Sequence, residues 1–257
     1  MAIALVVTVV CMGGLAAKAV ISATACTNRP TQVNVAASTD IEPAVAAVAR
    51  AFNKQSVTDS GRCVQVQVTP ADSAGEMAQI EGQAKASNGL PDAWIPDSTL
   101  WVDVTKSNAV GAQRVQQTGQ SVARSPLMLV TTKSVATTTG IFNVPPSWNL
   151  LLPASDGGPP TGLKLSVDLP DPNSSAAGLS SLIQVSRQLG TSAVARAAVV
   201  HFALRVTRTE SFNSAAALAQ FVQTTQPPFN RRALTVASEQ AVLAYDKKNP
   251  STPLVAH

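Results

Sequence analysis

Histidine, cysteine, aromatic and charged residues are all scarce in this chain of 257 residues. There are two histidines, three cysteines and one tyrosine, and charged residues make up 13% of the sequence. One histidine is His257, so His201 is the only internal imidazole. These counts exclude a metal site built from several histidines and a site of four cysteines. We therefore predict no metal and no cofactor, and a site made of hydroxyls and backbone dipoles.

What the chain does have is apolar residues and a mild excess of positive charge. Hydrophobic residues make up 45% of the sequence, which is enough for one large folded domain or two small ones. The net charge is +4, and the adjacent basic pairs are Arg231-Arg232 and Lys247-Lys248. Nucleic-acid binding needs a concentrated basic face with aromatic residues for stacking, so we expect no nucleic-acid partner.

Residues 1–28 have the composition of an export segment. Residues 2–17 carry no charge, and the small residues Ala23-Thr24-Ala25 resemble a signal-peptidase cleavage site. The alternatives are a cleaved signal peptide, a signal anchor and a lipid attached to Cys26. Each of them predicts a protein of the cell envelope, outside the cytoplasm, that is either secreted or membrane-anchored by its N-terminus.

Export also bears on the two cysteines that follow the apolar core of this segment. An oxidising compartment favours a disulfide bond between Cys26 and Cys63, and such a bond excludes lipidation of Cys26. The two residues precede and begin the first two predicted strands, so the bond is reasonable where those strands are neighbours. A bridge over a loop of this size stabilises a fold by about 3 kcal/mol.

Short apolar runs alternate with segments of helical periodicity along residues 29–257. This alternation predicts an α/β fold with a largely parallel sheet. Residues 139–162 are rich in glycine and proline and are predicted to form a loop. We expect two lobes, lobe I over about 29–125 and lobe II over about 126–250. The predicted strands include 32–38, 63–69, 92–95, 125–132, 163–169 and 233–238.

Hydroxyl residues stand at three predicted turns from a strand into a helix. The turns are Ala37-Ser38-Thr39, Ala71-Asp72-Ser73 and Asn173-Ser174-Ser175. Thr39 and Glu42 also have the spacing of a capping box. Two interpretations stay open, because serine and threonine are ordinary N-caps and because helix N-termini bind anions and polar ligands.

Four segments around these turns resemble type II periplasmic solute-binding proteins, nearest to the molybdate-binding branch. The segments are VAASTDIEP, PDAWIPDSTLWVD, DLPDPNSSAAGL and SEQAVLAYDKKNP. The resemblance implies a two-lobed type II fold that closes on a small polar or oxyanion ligand in an interlobe cleft. Asp97 stands where the family has alanine, and its carboxylate repels an oxyanion. The predicted ligand-binding residues are Ser38, Thr39, Ser73, Asp97, Ser98, Ser174, Ser175 and Tyr245.

The version W-I-P-D-S-x-x-W resembles a narrower group of actinobacterial envelope proteins. In that group a solute-binding-like domain precedes a von Willebrand factor A domain, which implies a protein partner in the envelope. The chain also stops within a predicted strand, so we expect a C-terminally truncated fold with an incomplete return segment.

Two other functional classes compete with solute binding. One is an envelope interaction or adhesion module that keeps the fold without binding a solute. The other is an enzyme, which we do not expect because no G-x-S-x-G elbow occurs and no catalytic residue is predicted. The apolar surroundings of His201 in AVVHFAL predict a core histidine, and Glu239 has no partner carboxylate in the sequence.

Overall fold

The computed structural model describes residues 29–152, 165–209 and 214–257, in which strands and helices alternate. The predicted export segment 1–28 lies outside these ranges. Within them, no helix combines the length and the apolar character that crossing a bilayer requires. The strands are β1 (Thr31–Ser38), β2 (Thr58–Asp59), β3 (Arg62–Ala71), β4 (Ala93–Ile95), β5 (Leu127–Thr132), β6 (Ser166–Pro170), β7 (Thr207–Thr209), β8 (Ala233–Ser238) and β9 (Leu254–Ala256). The helices are α1 (Glu42–Asn53), α2 (Ser73–Ile80), α3 (Thr99–Ser107), α4 (Ala109–Arg114), α5 (Lys133–Thr139), α6 (Ala176–Leu189), α7 (Ala193–Arg205), α8 (Ser214–Thr225) and α9 (Glu239–Lys248).

The chain divides into two compact units. Of the described residues, 29–71 and 86–96 form the first unit, and the rest form the second. The chain therefore passes from the first unit to the second directly after β3 and again one residue after β4. The expected lobe boundary near residue 125 stays a prediction.

The first unit holds a four-stranded sheet in the order β2-β3-β1-β4. β1 pairs in parallel with both β3 and β4, and the register sets Ser38 opposite Ala71 and Ala37 opposite Ile95. The last four residues of β1 are buried, since strands on both sides and packing on both faces cover them. The carboxyl ends of three strands thus lie at one edge of this sheet.

Helix α1 is attached to this sheet by an amide side chain. Asn53 Nδ2 donates to the Val66 carbonyl oxygen at 2.9 Å, and the Val66 N–H donates to Asn53 Oδ1 at 2.9 Å. These bonds give partners to the backbone N–H and carbonyl of Val66, at an edge of β3 that would otherwise be unpaired. The predicted capping box at Thr39 is wrong, because the helix begins at Glu42 with Ile41 at the N-cap, which supplies no side-chain hydrogen bond.

The second unit holds a five-stranded sheet in the order β7-β6-β8-β5-β9. β6 pairs in parallel with β7 and β8, whereas β5 is antiparallel to both β8 and β9. The expectation of a largely parallel sheet therefore fails at β5, which enters the sheet from the opposite end.

Alternating side chains build a hydrophobic core on each face of this second sheet. On one face, Leu129 and Leu234 pack with Val185 of α6 and Phe202 of α7. On the other face, Val130 and its neighbours pack with Phe221 and Leu218 of α8 and with Val242 of α9. The period of two along β5 and β8 places successive residues in opposite cores, so the second unit is a three-layered α/β/α structure.

A buried ion pair crosses between β6 and the start of β8. Arg231 donates from both terminal nitrogens to Asp168, at 2.8 Å to Oδ1 and 3.0 Å to Oδ2. The side chain of Asp168 is 2% exposed and that of Arg231 is 32% exposed. The carboxylate is therefore held away from water, and this fork of hydrogen bonds compensates its charge.

We predict that Arg231→Met lowers the free energy of unfolding by about 3 kcal/mol, because it leaves the Asp168 carboxylate buried without its cation. Urea denaturation measures this loss. Arg232→Met is the matched control, because its side chain is exposed, and it is expected to change stability little. Adding Asp168→Asn to Arg231→Met is expected to recover part of the loss. Equal stability of the Arg231 and Arg232 variants would show that the ion pair between Arg231 and Asp168 does not stabilise the sheet.

Candidate functional site

The first group of predicted ligand residues lies at the end of β1. Ser38 is the last residue of the strand and is 5% exposed, and Thr39 follows in a half-buried turn. The Ser38 carbonyl oxygen accepts from the Ile41 N–H at 3.0 Å, which closes the turn into α1. Both hydroxyl residues are therefore held at the carboxyl edge of the first sheet, where ligands of α/β proteins are usually bound.

A second group forms at the start of α2, in the second unit. Asp72 is the N-cap of this helix, and its Oδ2 accepts from the Gly75 N–H at 2.7 Å. Ser73 is 5% exposed, and its Oγ accepts from the Asp97 N–H at 3.2 Å. The structure thus brings Ser73 into contact with Asp97, which is 24 residues further along the sequence and is followed directly by Ser98.

This second group is electrostatically acidic. Burial raises the pKa of the Asp72 carboxyl, the N–H groups of Gly75 and Ala74 lower it, and the neighbouring charge of Asp97 raises it. Burial also raises the pKa of Glu76, one turn further along α2. The carboxyl groups of Asp72 and Asp97 accept hydrogen bonds and attract positive charge, and they repel an oxyanion.

Helix α3 begins next to this group and carries a buried tryptophan. Ser98 is the N-cap, and its Oγ accepts from the Leu100 N–H at 3.2 Å. Trp101 is 3% exposed and is therefore buried. Its indole nitrogen is buried without a hydrogen-bond partner among the described residues. Trp94, on β4 of the first unit, is half-buried.

A third group of predicted ligand residues lies at the start of α6. Ser175 is the N-cap, and its Oγ accepts from the Gly178 N–H at 3.4 Å. The N–H groups of Ser174 and Ser175 both donate to the Asp171 carbonyl oxygen, at 3.0 and 2.8 Å. The Ser175 N–H, which the resemblance assigns to a ligand, therefore closes a turn in this structure.

A close approach between α6 and the end of β6 holds this turn in place. A Cβ atom added at Gly178 would lie 2.1 Å from the Pro170 carbonyl oxygen, which is backbone and cannot swing aside. Only glycine permits this approach, so the residue positions Ser174 and Ser175 relative to the sheet.

Tyr245 lies apart from these groups, inside the second hydrophobic core. It is 6% exposed on α9, and its hydroxyl is 3.5 Å from Thr252 Oγ1. Its role as a ligand residue stays a prediction.

Three further predictions concern residues outside these groups. The prediction of a core histidine is wrong, since His201 is exposed on α7. Glu239, considered as a carboxylate for catalysis, is exposed at the start of α9. Cys63 is 3% exposed at the start of β3, whereas Cys26 lies outside the described residues. The disulfide therefore stays a prediction.

Within the described ranges, no group of three or more histidine, cysteine, aspartate or glutamate residues is arranged to hold a metal ion.

Sequence reasoning missed the contributions of Asp72 and Glu76. For Asp72 a local signal was present, because aspartate directly before a predicted helix is a common N-cap. Glu76 carries no local signal of burial, because its surroundings come from the packing of α2 against other elements.

Comparison with known structures supports the same fold. A periplasmic thiamin binding protein is similar with a TM-score of 0.52 and 17% sequence identity, over 90% of this chain and 69% of that one. The GacH receptor of Streptomyces glaucescens is similar with a TM-score of 0.47 and 14% identity, over 90% of this chain and 66% of that one. The second score is too low to support a fold assignment. The first shows the type II fold of periplasmic binding proteins and nothing about the ligand.

Comparison with protein families gives one further result. Residues 33–229 match the family described as bacterial extracellular solute-binding protein. That range begins within β1 and includes the candidate residues at the starts of α2, α3 and α6. Comparison with curated proteins found no match.

We predict that Gly178→Ala destabilises the protein by about 1–3 kcal/mol, because the clash with Pro170 outweighs the higher helix propensity of alanine. Chemical denaturation measures the loss. Ser180→Ala on the same helix is the control, and it is expected to have a much smaller effect. A Gly178 variant as stable as the original would contradict the close approach of α6 and β6.

Proposed function

Because the chain belongs to the bacterial extracellular solute-binding protein family, we propose that it is an extracytoplasmic module that binds a small polar solute. The observation that carries this proposal is the group at the start of α2, where the Ser73 hydroxyl accepts from the Asp97 N–H beside the Asp72 carboxylate. These groups come from two segments of the chain, and the half-buried Asp72 and the exposed Asp97 supply carboxylate acceptors.

The acidic character of this group selects the class of solute. Asp72 is half-buried and already takes the Gly75 N–H at the start of α2. An oxyanion placed there would meet the exposed Asp97 carboxylate and the half-buried Asp72 carboxylate, and the repulsion by Asp72 is stronger than in bulk water. We therefore assign a solute that is neutral or cationic and donates hydrogen bonds, and we do not assign the molybdate-binding branch.

The remaining predicted residues have different roles in this proposal. Ser38 and Thr39, at the end of β1 in the first unit, stay predicted ligand residues. In the second unit, Ser98 positions Asp97 by capping α3. Ser174 and Ser175 contribute hydroxyl oxygens, because their N–H groups close the turn on Asp171. Tyr245 packs in the core beneath α9, and its role as a ligand residue stays a prediction.

Solute binding without catalysis is part of this proposal. The exposed His201 and the exposed Glu239 give neither a buried base nor a carboxylate pair. Attachment to the membrane remains a proposal carried by the composition of residues 1–28. A following von Willebrand factor A domain remains a proposal carried by the resemblance of the WIPDS segment.

We predict that a neutral or cationic hydrogen-bond donor raises the melting temperature of the full chain, since a ligand at 100 times its dissociation constant stabilises by about 2.7 kcal/mol. Thermal-shift screening with polyamines, amino acids, sugars and thiamin, beside molybdate, phosphate and sulfate, measures this. Asp97→Asn is expected to raise the dissociation constant of the most stabilising compound about tenfold, because it removes a charged hydrogen-bond acceptor.

Asp103→Asn, an exposed carboxylate on α3, is the matched control for that variant and is expected to leave affinity unchanged. Stabilisation by oxyanions alone would overturn the assigned class of solute. No stabilisation by any compound would favour the alternative of an envelope interaction module.

We also propose the Cys26–Cys63 disulfide. It is supported by the burial of Cys63 and by the pairing of β1 with β3, which are neighbouring strands as the prediction required. Non-reducing peptide mapping of protein from an oxidising compartment is expected to find a peptide that joins residues 26 and 63. A fatty acyl group on Cys26, or free thiols at both positions, would disprove the bridge.

A further inference from the structure

We propose that one edge of the second sheet docks on the surface of an anionic lipid bilayer. This edge, which we name the amino edge, is where the parallel strands β6, β7 and β8 begin. It carries Leu204 and Arg205 at the end of α7, and Phe229 and Arg232 before β8. The proposal is independent of solute binding.

The register of the sheet places these residues at the same edge. β7 and β8 pair with β6 on either side, in parallel, with Thr207 opposite Asp168 and Ala233 opposite Ser166. The two outer strands are therefore about 10 Å apart, and the chain enters both from the same end. Leu204 and Arg232 each lie just before that entry.

Apolar side chains are unusually exposed at this edge. Leu204 is 75% exposed, Val200, one turn before it on α7, is 55% exposed, and Phe229 is 67% exposed. Helix α7 has apolar residues on all sides, although helices of that composition are normally buried. Its outer face is uncovered by the rest of the described protein.

Positive charge predominates around this edge, where β9 also begins and where the Leu254 N–H donates to the Asp246 carboxylate at 2.9 Å. Residues 172–238 contain six arginines, no lysine and one acidic residue, Glu210. Arg205 and Arg232 are exposed beside Leu204 and Phe229, whereas Arg231 is held by Asp168. Exposed aliphatic and aromatic groups beside arginines match the boundary between the headgroups and acyl chains of an anionic membrane.

A membrane fits this edge better than a protein partner does. A standard protein interface needs roughly 20–30 residues on each side, whereas shallow insertion into a bilayer needs only a few apolar side chains. A two-fold contact between copies of this chain would set like charges of Arg205 and Arg232 against each other.

Site-specific photo-crosslinking in the full chain tests the proposal. p-Benzoylphenylalanine is placed at Leu204 or at Phe229, and at Leu243 of α9 as the control, which is 63% exposed. Irradiation with vesicles of equimolar phosphatidylglycerol and phosphatidylcholine is expected to give lipid adducts at positions 204 and 229 in clear excess over position 243. Vesicles of phosphatidylcholine alone are expected to give few adducts.

Charge variants make the test quantitative. Arg205→Gln and Arg232→Gln are each expected to lower the adduct yield at position 204 by about fivefold, whereas Lys106→Gln on α3, where the side chain is exposed, is not. Equal adducts at positions 204 and 243 would overturn the proposal. So would an absence of adducts, crosslinks between two copies of the chain, or crosslinks only to an added acidic protein.

Discussion

The parallel hydrogen bonding of β1 with β3 and β4 is the constraint on which the candidate site depends. Parallel pairing with a register that sets Ser38 opposite Ala71 and Ala37 opposite Ile95 brings three strand ends to one edge. The chain enters the second unit just after two of those ends, through Asp72 and Asp97. The pairing of the strands thus sets the positions of the hydroxyl and carboxyl residues that follow them. The residue types at these positions can vary without changing the fold.

The second unit shows how a chain with few charged residues still orients its elements. Two hydrophobic cores separated by one sheet need only alternating apolar residues on β5 and β8. The sheet also buries the charged side chain of Asp168, and Arg231 compensates this charge. Removing one partner of a buried ion pair is costly, whereas replacing both partners by apolar residues often is not. The pair therefore fits a role in setting the register of β6 and β8 better than a role in net stability.

The order of strands and helices could be predicted from the sequence, because hydrophobic period and cap residues are local signals. Ser175 is the N-cap of α6, at a turn where the sequence predicts that a strand leads into a helix. Local signals failed where another element decided the outcome. Thr39 has the spacing of a capping box but lies in a turn, and His201 lies on an apolar helix whose outer face is uncovered.

The sequence by itself determined the α/β class, the hydroxyl residues at the turns and the shortage of acid–base groups. The tertiary structure decided which strands are neighbours, that β5 runs against β8, and that Ser73 contacts Asp97. It also decided that Asp168 meets Arg231, 63 residues away. The reason is physical: periodicity and capping depend on residues within a few turns, whereas strand pairing and burial depend on segments that meet only after the chain has folded.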